Sequence, residues 1–325
     1  MNSKEIVEKT LSYSKPERIA NSFPDTSDIV MCSHKVPNKS TDWQLVSENK
    51  WERFDAWGNT WSRIDSTSKG EVTNPILSTA QDAVSYQLPD YSNISDYSNV
   101  KKKCQKNNDK YIIGMLPGFA FGIARKLFRL DNYLMNIILE RDKIVELHDK
   151  IDTALEQMII NYSACGVDAV MLHEDWGTQS QTLLSPELWQ EEFFPRFEKL
   201  CRLSHDKNLK VFMHSCGKIE KIMPGLIKAG IDVFQFDQPD LHTIDKLAEY
   251  QNENRVSFWS PVDIQTTLQT KDENLIRIKA KEMIDKLWRG QGGFIAGYYT
   301  DNHSIGLDEK WQKIACDEFL LLGQR

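Results

Sequence analysis

The stretch KVFMHSCGKIEK, Lys210 to Lys221, decides the fold. Val211, Phe212 and Met213 run without polar interruption into His214 and Cys216, and Gly217 stops the run. A strand that is apolar on both sides of its pleat belongs to a sheet covered on both faces, the mark of parallel pairing. A helical segment follows, running to Ala229 and ending at Gly230. The same unit recurs in both directions. Upstream, YIIGMLPG (Tyr111–Gly118) reads as a strand followed by helical Ala120–Leu130 and Tyr133–Tyr162. VDAVMLHED (Val167–Asp175) is the next strand, before a helix that opens at Ser185-Pro186-Glu187 with a serine cap, a proline at the first position and an acid in the first turn. Downstream come IDVFQFD (Ile231–Asp237), RVSFWSPVD (Arg255–Asp263) and GGFIAGYY (Gly292–Tyr299). This alternation predicts an α/β protein, a (β/α)₈ TIM-type barrel, with its first strands in the less regular N-terminal third. An open doubly wound sheet is the alternative. No glycine-rich dinucleotide fingerprint follows any strand, which counts against its nucleotide-binding form.

The stretch DAWGNTWSRIDSTSKGEVTNPILST (Asp55–Thr79), rich in Trp, Thr, Ser and Gly, breaks the pattern and reads as a β-hairpin. We expect residues 1–325 to form a single barrel domain, with 1–110 holding the N-terminal elaboration and first strands and 111–325 the regular β/α units. A net charge of −7 argues against a nucleic-acid-binding surface. No segment has the apolar length of a membrane span, and the N-terminus has no signal-type apolar region, so the expectation is a cytoplasmic protein without a membrane partner. Six scattered cysteines, Cys32, Cys104, Cys165, Cys201, Cys216 and Cys316, then read as free thiols.

The polar residues fall at one end of the apolar runs. Glu174 and Asp175 close one, His214 and Cys216 the next, Asp237 a third and Ser260 and Asp263 a fourth. Tyr298, Tyr299, Asp301 and Asn302 close the last. The C-terminal ends of barrel strands are where active sites are built, so this convergence points to an enzyme with Glu174, His214, Asp237, Ser260 and Tyr298 at one mouth. In an extended segment residues two apart project to the same side, so His214 and Cys216 can converge on one point. Imidazole nitrogen and thiolate sulfur are favoured zinc ligands. A buried histidine beside a small apolar cysteine is the structural alternative.

At these residues the chain resembles the uroporphyrinogen decarboxylase-like superfamily of (β/α)₈ barrels. The likeness runs from about Tyr111 to Leu321. It is carried by HEDWGTQ (His173–Gln179), LLSPELWQEEFFPRF (Leu183–Phe197), HSCG (His214–Gly217) and GGFI (Gly292–Ile295), and DAWGNTW (Asp55–Trp61) fits the N-terminal hairpin. The arginine-bearing RQAGR signature of the tetrapyrrole decarboxylases is absent. His214 and Cys216 match the H-x-C zinc ligands of the corrinoid-dependent methyltransferases, the branch this chain is most similar to. The resemblance thus implies Zn²⁺. The cysteine that usually follows GG-x-I as third ligand is missing from AGYYTDN (Ala296–Asn302). An oxygen ligand is expected instead, Glu174 first, otherwise Asp175 or Asp301.

The activity so implied moves a methyl group from a small donor, such as a methoxylated aromatic undergoing O-demethylation, to Co(I) of a corrinoid. The chain is expected to carry neither the D-x-H-x-x-G signature by which carrier domains bind cobalamin nor room for such a domain beside the barrel, so a separate corrinoid protein is the expected partner. Glu174, Asp175, Asp237 and Tyr298 are the expected catalytic groups, with Trp176, Trp259 and Tyr299 walling the substrate pocket. The runner-up is a metal-free decarboxylase or lyase with Asp175 or Asp237 as the proton-transfer group, followed by a non-catalytic binding protein.

Overall fold

In the computed structural model, which describes residues 1–36 and 40–324, twelve strands form two sheets. They are β1 Ala20–Asn21, β2 Ile29–Cys32, β3 Gln44–Ser47, β4 Lys50–Phe54, β5 Thr60–Arg63, β6 Glu71–Asn74, β7 Tyr111–Met115, β8 Ala169–His173, β9 Lys210–His214, β10 Val233–Gln235, β11 Ser257–Ser260 and β12 Phe294–Ala296. Eight of them pair in parallel in the order β1-β12-β11-β10-β9-β8-β7-β2, with helices after the strands, a nearly closed (β/α)₈ barrel. The remaining four, β3 to β6, form a separate antiparallel sheet. The hairpin expected from Asp55–Thr79 is its β5–β6 half.

The alternation of side chains explains why the barrel strands look uniformly apolar in sequence. On β8, Ala169 and Met171 join the barrel interior while Val170 and Leu172 face the helix layer. On β9, Phe212 points in and Val211 and Met213 point out. Tyr111, Ile113, Val233, Trp259 and Ile295 complete the interior with Ala20 and Ile29. Both faces are dry, so period two carries no polar signal.

The helix Ser3–Leu11 closes the N-terminal end of the barrel. Ile6 and Val7 are fully buried against the interior residues, and Asn2 and Glu5 form a capping box at its start. The seam between β1 and β2 is not a strand ladder. It is bridged by Asp28, whose N–H donates to the Asn21 carbonyl at 2.9 Å and whose carboxylate accepts the Asn21 N–H at 3.0 Å. Arg18 donates to both Asp28 oxygens at 2.6 and 2.7 Å.

The helix expected over Tyr133–Tyr162 is two helices, Leu130–Leu139 and Arg141–Cys165, broken at Glu140. The helix at Ser185 starts as expected, with the serine side chain accepting from Leu188 N–H. All six cysteines are free. Among the described residues no helix is long and apolar enough to cross a membrane.

Candidate metal centre at the barrel mouth

Parity along the strands places the site. One inward position beyond the packed interior, the strands present Met31, Met115, His173, His214 and Gln235, and Met171 and Trp259 of the interior itself reach the same space. These line a cavity of about 700 Å³ whose rim is completed by Asp175, Asp237, Tyr298, Tyr299, Asp301, Lys69 and Lys103. That volume suits a small substrate.

β8 and β9 are adjacent, with His173 opposite His214, so the residues just past their ends meet. Asp175, His214 and Cys216 each offer a ligand atom within 4.8 Å of the others. His214 Nε2 lies 3.3 Å from Cys216 Sγ and 3.5 Å from Asp175 Oδ1. The Cys216 N–H donates to Asp175 Oδ1 at 2.9 Å, fixing the carboxylate beside the thiol. Behind the cluster, His214 Nδ1 is hydrogen-bonded to Gln235 Oε1, and Gln235 Nε2 donates to Asp237 Oδ1 at 2.8 Å. The Asp237 acceptor sets the Gln235 amide orientation. The amide oxygen then takes the Nδ1 proton of His214 and leaves Nε2 toward the cluster, the support that metal-ligating histidines receive.

The electrostatics follow the geometry. Burial works to raise the Asp175 pKa, but hydrogen bonding to His214, the Cys216 N–H and the Arg125 charge bring it below the usual carboxylate range. Burial works to lower the His214 pKa, and Asp175 and Cys216 push it well above the ordinary imidazole value. Nitrogen, sulfur and oxygen donors from three side chains are a set that zinc accepts, so the residues fit that metal.

Several sequence expectations need correction here. Glu174 is not a member of the cluster. Its parity is opposite to that of His173 and Asp175, so it points out of the barrel, fully buried, and accepts the N–H groups of Phe119 at 2.7 Å and Gly122 at 2.9 Å. Burial raises its pKa to about 7. Trp176 likewise faces outward, packed among Phe121, Trp189, Phe193 and Phe197 rather than in the cavity. Ser260 is buried outside the cavity as well. Asp301 lines the cavity but lies outside the three-donor cluster, and it accepts from Ser304 N–H at 3.2 Å. Asp237, Trp259, Tyr298 and Tyr299 line the cavity as expected, with the Trp259 indole N–H donating to Ser22 at 2.9 Å. The stretch DNHSIG (301–306) has the D-x-H-x-x-G spacing of cobalamin carriers, against the expectation that no carrier segment is present. It forms a short 3₁₀ turn directly after β12, part of the barrel mouth and not of a separate carrier fold.

Several lining residues had escaped the sequence reading, Gln235, His173 and Lys69 among them. Gln235 shares its inward parity with Asp237, a polar i, i+2 pair in an otherwise apolar run, and that was a usable signal. His173 stands inward one turn of the pleat before Asp175, its ring perpendicular to His214 at 5.1 Å. Lys69 comes from the β5–β6 loop, and nothing local in sequence links it to Tyr299, 230 residues away.

Compared with family models, the chain matches Uroporphyrinogen decarboxylase (URO-D) over residues 62–299. The chain belongs to the uroporphyrinogen decarboxylase family. No curated protein matches it. Among solved structures it is similar to a methyltransferase from Methanosarcina mazei, at 16% identity and a TM-score of 0.58, covering 81% of this chain and 76% of that one. It is also similar to a B12-independent methionine synthase from Shewanella sp. W3-18-1, at 13% identity and a TM-score of 0.46, covering 70% and 66%. At 16% identity the likeness to the Methanosarcina mazei methyltransferase is one of fold. The family match covers β6 to β12 and, with them, Asp175, His214 and Cys216.

Proposed function

We propose that this member of the uroporphyrinogen decarboxylase family is a zinc-dependent methyltransferase that hands a methyl group from a small donor to Co(I) of a separate corrinoid protein. The observation that carries this reading is the convergence of Asp175, His214 and Cys216 within 4.8 Å, at the cavity wall that Asp175 and His214 line. Bound there, zinc supplies Lewis acidity toward the leaving heteroatom of a methyl donor, or holds a thiol as thiolate.

The chain's own residues do the rest. Gln235 and Asp237 keep His214 in the tautomer that leaves Nε2 free. The Cys216 N–H holds Asp175 in place, and the Arg125 guanidinium, 3.7 Å from its other oxygen, balances its charge. Met31, Met115, Met171 and Trp259 give the cavity a floor suited to a methyl group and an apolar body. The transfer breaks the bond between methyl and heteroatom, with the electron pair staying on the heteroatom. The new carbon–cobalt bond takes its pair from Co(I), which the partner brings over the open mouth. A methoxylated aromatic undergoing O-demethylation fits this floor and these walls.

The metal-free decarboxylase reading, with Asp175 or Asp237 moving the proton, draws less support. A substrate with many carboxylates needs several cations, and arginine suits that role best. Among the described lining residues the lysine and arginine cations are Lys69 and Lys103, with no arginine.

The test is the absorbance change from cob(I)alamin to methylcobalamin with a panel of methoxylated aromatics and small methyl donors. His214→Ala should abolish turnover. Activity surviving that change, or carbon dioxide released from a carboxylated substrate without cobalamin, moves the assignment to the decarboxylase.

A further inference from the structure

We propose that Lys69 is the binding and positioning residue for an anionic group, a carboxylate or sulfonate, on the substrate of this cavity. The antiparallel sheet is then a working part of the site. The inference rests on the reading of the cavity as the place where the methyl donor binds.

Lys69 sits in the β5–β6 loop and reaches the barrel mouth from outside it. Its ammonium donates to the Tyr299 hydroxyl at 3.1 Å and stands 5.5 Å from the centre of that ring. Among the described residues no carboxylate lies within 4.0 Å of it. Several described lysines lack a carboxylate partner, and what sets Lys69 apart is its place on the cavity rim, over the Tyr299 ring.

The cavity's own acids have other hydrogen-bond partners, although the Asp301 and Cys216 charges also reach Lys69. Asp175 belongs to the donor cluster, Asp237 accepts from Gln235, and Asp301 accepts from Ser304 N–H. An incoming cation would meet the Lys69 charge already placed over Tyr299. An incoming anion finds an ammonium with donors to spare.

The loop is built to hold that position. Asp65 Oδ1 accepts the N–H groups of Thr67 at 2.7 Å and Ser68 at 2.8 Å, which folds the tip back on itself. Gly70 follows at φ +75°, and a Cβ there would lie 2.6 Å from the Trp43 ring and 2.8 Å from the Ser62 carbonyl. A side chain at position 70 would displace the loop, so the glycine fixes where Lys69 begins. Holding the cation before substrate arrives reduces the ordering cost of binding. Lys103, on the helix Ser98–Lys106, lines the same cavity but makes only a 3.4 Å contact to the Met31 carbonyl. It serves as the comparison.

The experiment measures binding by calorimetry, with 4-methoxybenzoate and 4-methoxybenzenesulfonate as anionic probes and 4-methoxybenzamide as the neutral match. The zinc content of every sample is determined alongside. Wild type should bind the anions at least about tenfold more tightly than the amide, with affinity falling as salt rises. Lys69→Met should lose that preference while keeping amide binding and zinc content, and Lys69→Arg should restore it. Lys103→Met should leave the preference in place. Three results overturn the proposal: anion binding by Lys69→Met equal to wild type, an amide bound as tightly as the anions, or no saturable binding of either anion at millimolar concentration. Protein that prefers anions through Lys69 yet holds no zinc would keep this inference and sink the metal reading, so the two fail separately.

Discussion

At the level of single residues, the site is governed by which way each side chain leaves its strand. His173 and Asp175 point into the barrel and Glu174 points out, a one-residue difference that exchanges the cavity for a dry pocket behind it. The sequence allowed parity to be counted within one strand, as for His214 and Cys216 two residues apart. The register itself, however, is a long-range fact that no local pattern carries. His214, Asp237, Trp259, Tyr298 and Tyr299 were therefore legible as cavity residues and Cys216 as the partner of His214, while the choice of Asp175 over Glu174 was not. The assignment yields a direct test by metal analysis. Wild type is expected to hold close to one zinc per chain, and His214→Ala, Cys216→Ser and Asp175→Ala are each expected to lose most of it. Glu174→Gln should retain it. Gln235→Ala should keep the ligands but weaken zinc affinity by about 10- to 100-fold, because the imidazole loses its orienting partner. Zinc retained in Asp175→Ala and lost in Glu174→Gln would restore Glu174 as the oxygen ligand.

At the level of elements, the barrel strands announced themselves and the pieces that finish the barrel did not. Dry runs bounded by glycine and capped helices are strong local signals, and β7 to β12 fall where those signals lie. The N-terminal plug is hidden by its polarity. Only Ile6, Val7 and Thr10 of the helix Ser3–Leu11 are buried, too narrow a stripe to stand out from nine mostly polar residues. Its capping pair Asn2 and Glu5 was the available clue. Removing the plug's main side chain with Ile6→Ala should cost about 2–5 kcal/mol in urea unfolding, the usual range for a large-to-small change in a closed core. The seam should respond as strongly. Asp28 is fully buried and serves Arg18 and the Asn21 N–H at once, so Asp28→Ala leaves a guanidinium and a backbone donor without their acceptor. Breaking such a pair from one side costs about 3–5 kcal/mol. A seam variant whose unfolding midpoint matches wild type would mean that β1 and β2 are held by packing alone. The antiparallel sheet stands by other means, since Leu45, Val46 and Phe54 are exposed. Arg53 lies 5.0 and 4.9 Å from the Trp43 and Trp61 rings, and Arg63 lies 4.4 and 5.2 Å from Trp43 and Trp51. The cation–aromatic stack gives it cohesion that burial does not.

At the level of the whole molecule, the acid response includes histidines held neutral by burial, His173 at the cavity and others away from it. His34 is buried, with Nδ1 2.9 Å from the Tyr162 hydroxyl and its ring stacked on Tyr97 at 4.9 Å. Burial lowers its pKa to about 4, with the nearby Asp96 charge pulling weakly the other way. His242, packed on Phe236, is lowered to about 4 by burial, and His148, wholly enclosed between Tyr133 and Glu192, is lowered as well. In the unfolded chain these imidazoles titrate near about 6.5. Between that value and about 4 the unfolded state binds more protons than the folded one, so their contribution is whole above pH 6.5 and is lost as pH falls toward 4. Asp152 acts in the opposite sense. Burial raises its carboxyl to about 6 despite the Arg196 charge, so its contribution is present at low pH and lost as pH rises through 6. The wild-type curve mixes the two, and a variant separates them. His34→Gln keeps a polar side chain and cannot take up the proton. Its stability gap from wild type, measured by urea unfolding across this window, should therefore narrow as pH falls, by up to about 1.4 kcal/mol per pH unit where the titration is steepest. A gap that stays constant from neutral pH to 4 would mean that His34 carries the same charge folded and unfolded, and that the aromatic nest of Tyr91, Tyr97 and Tyr162 does not hold it neutral.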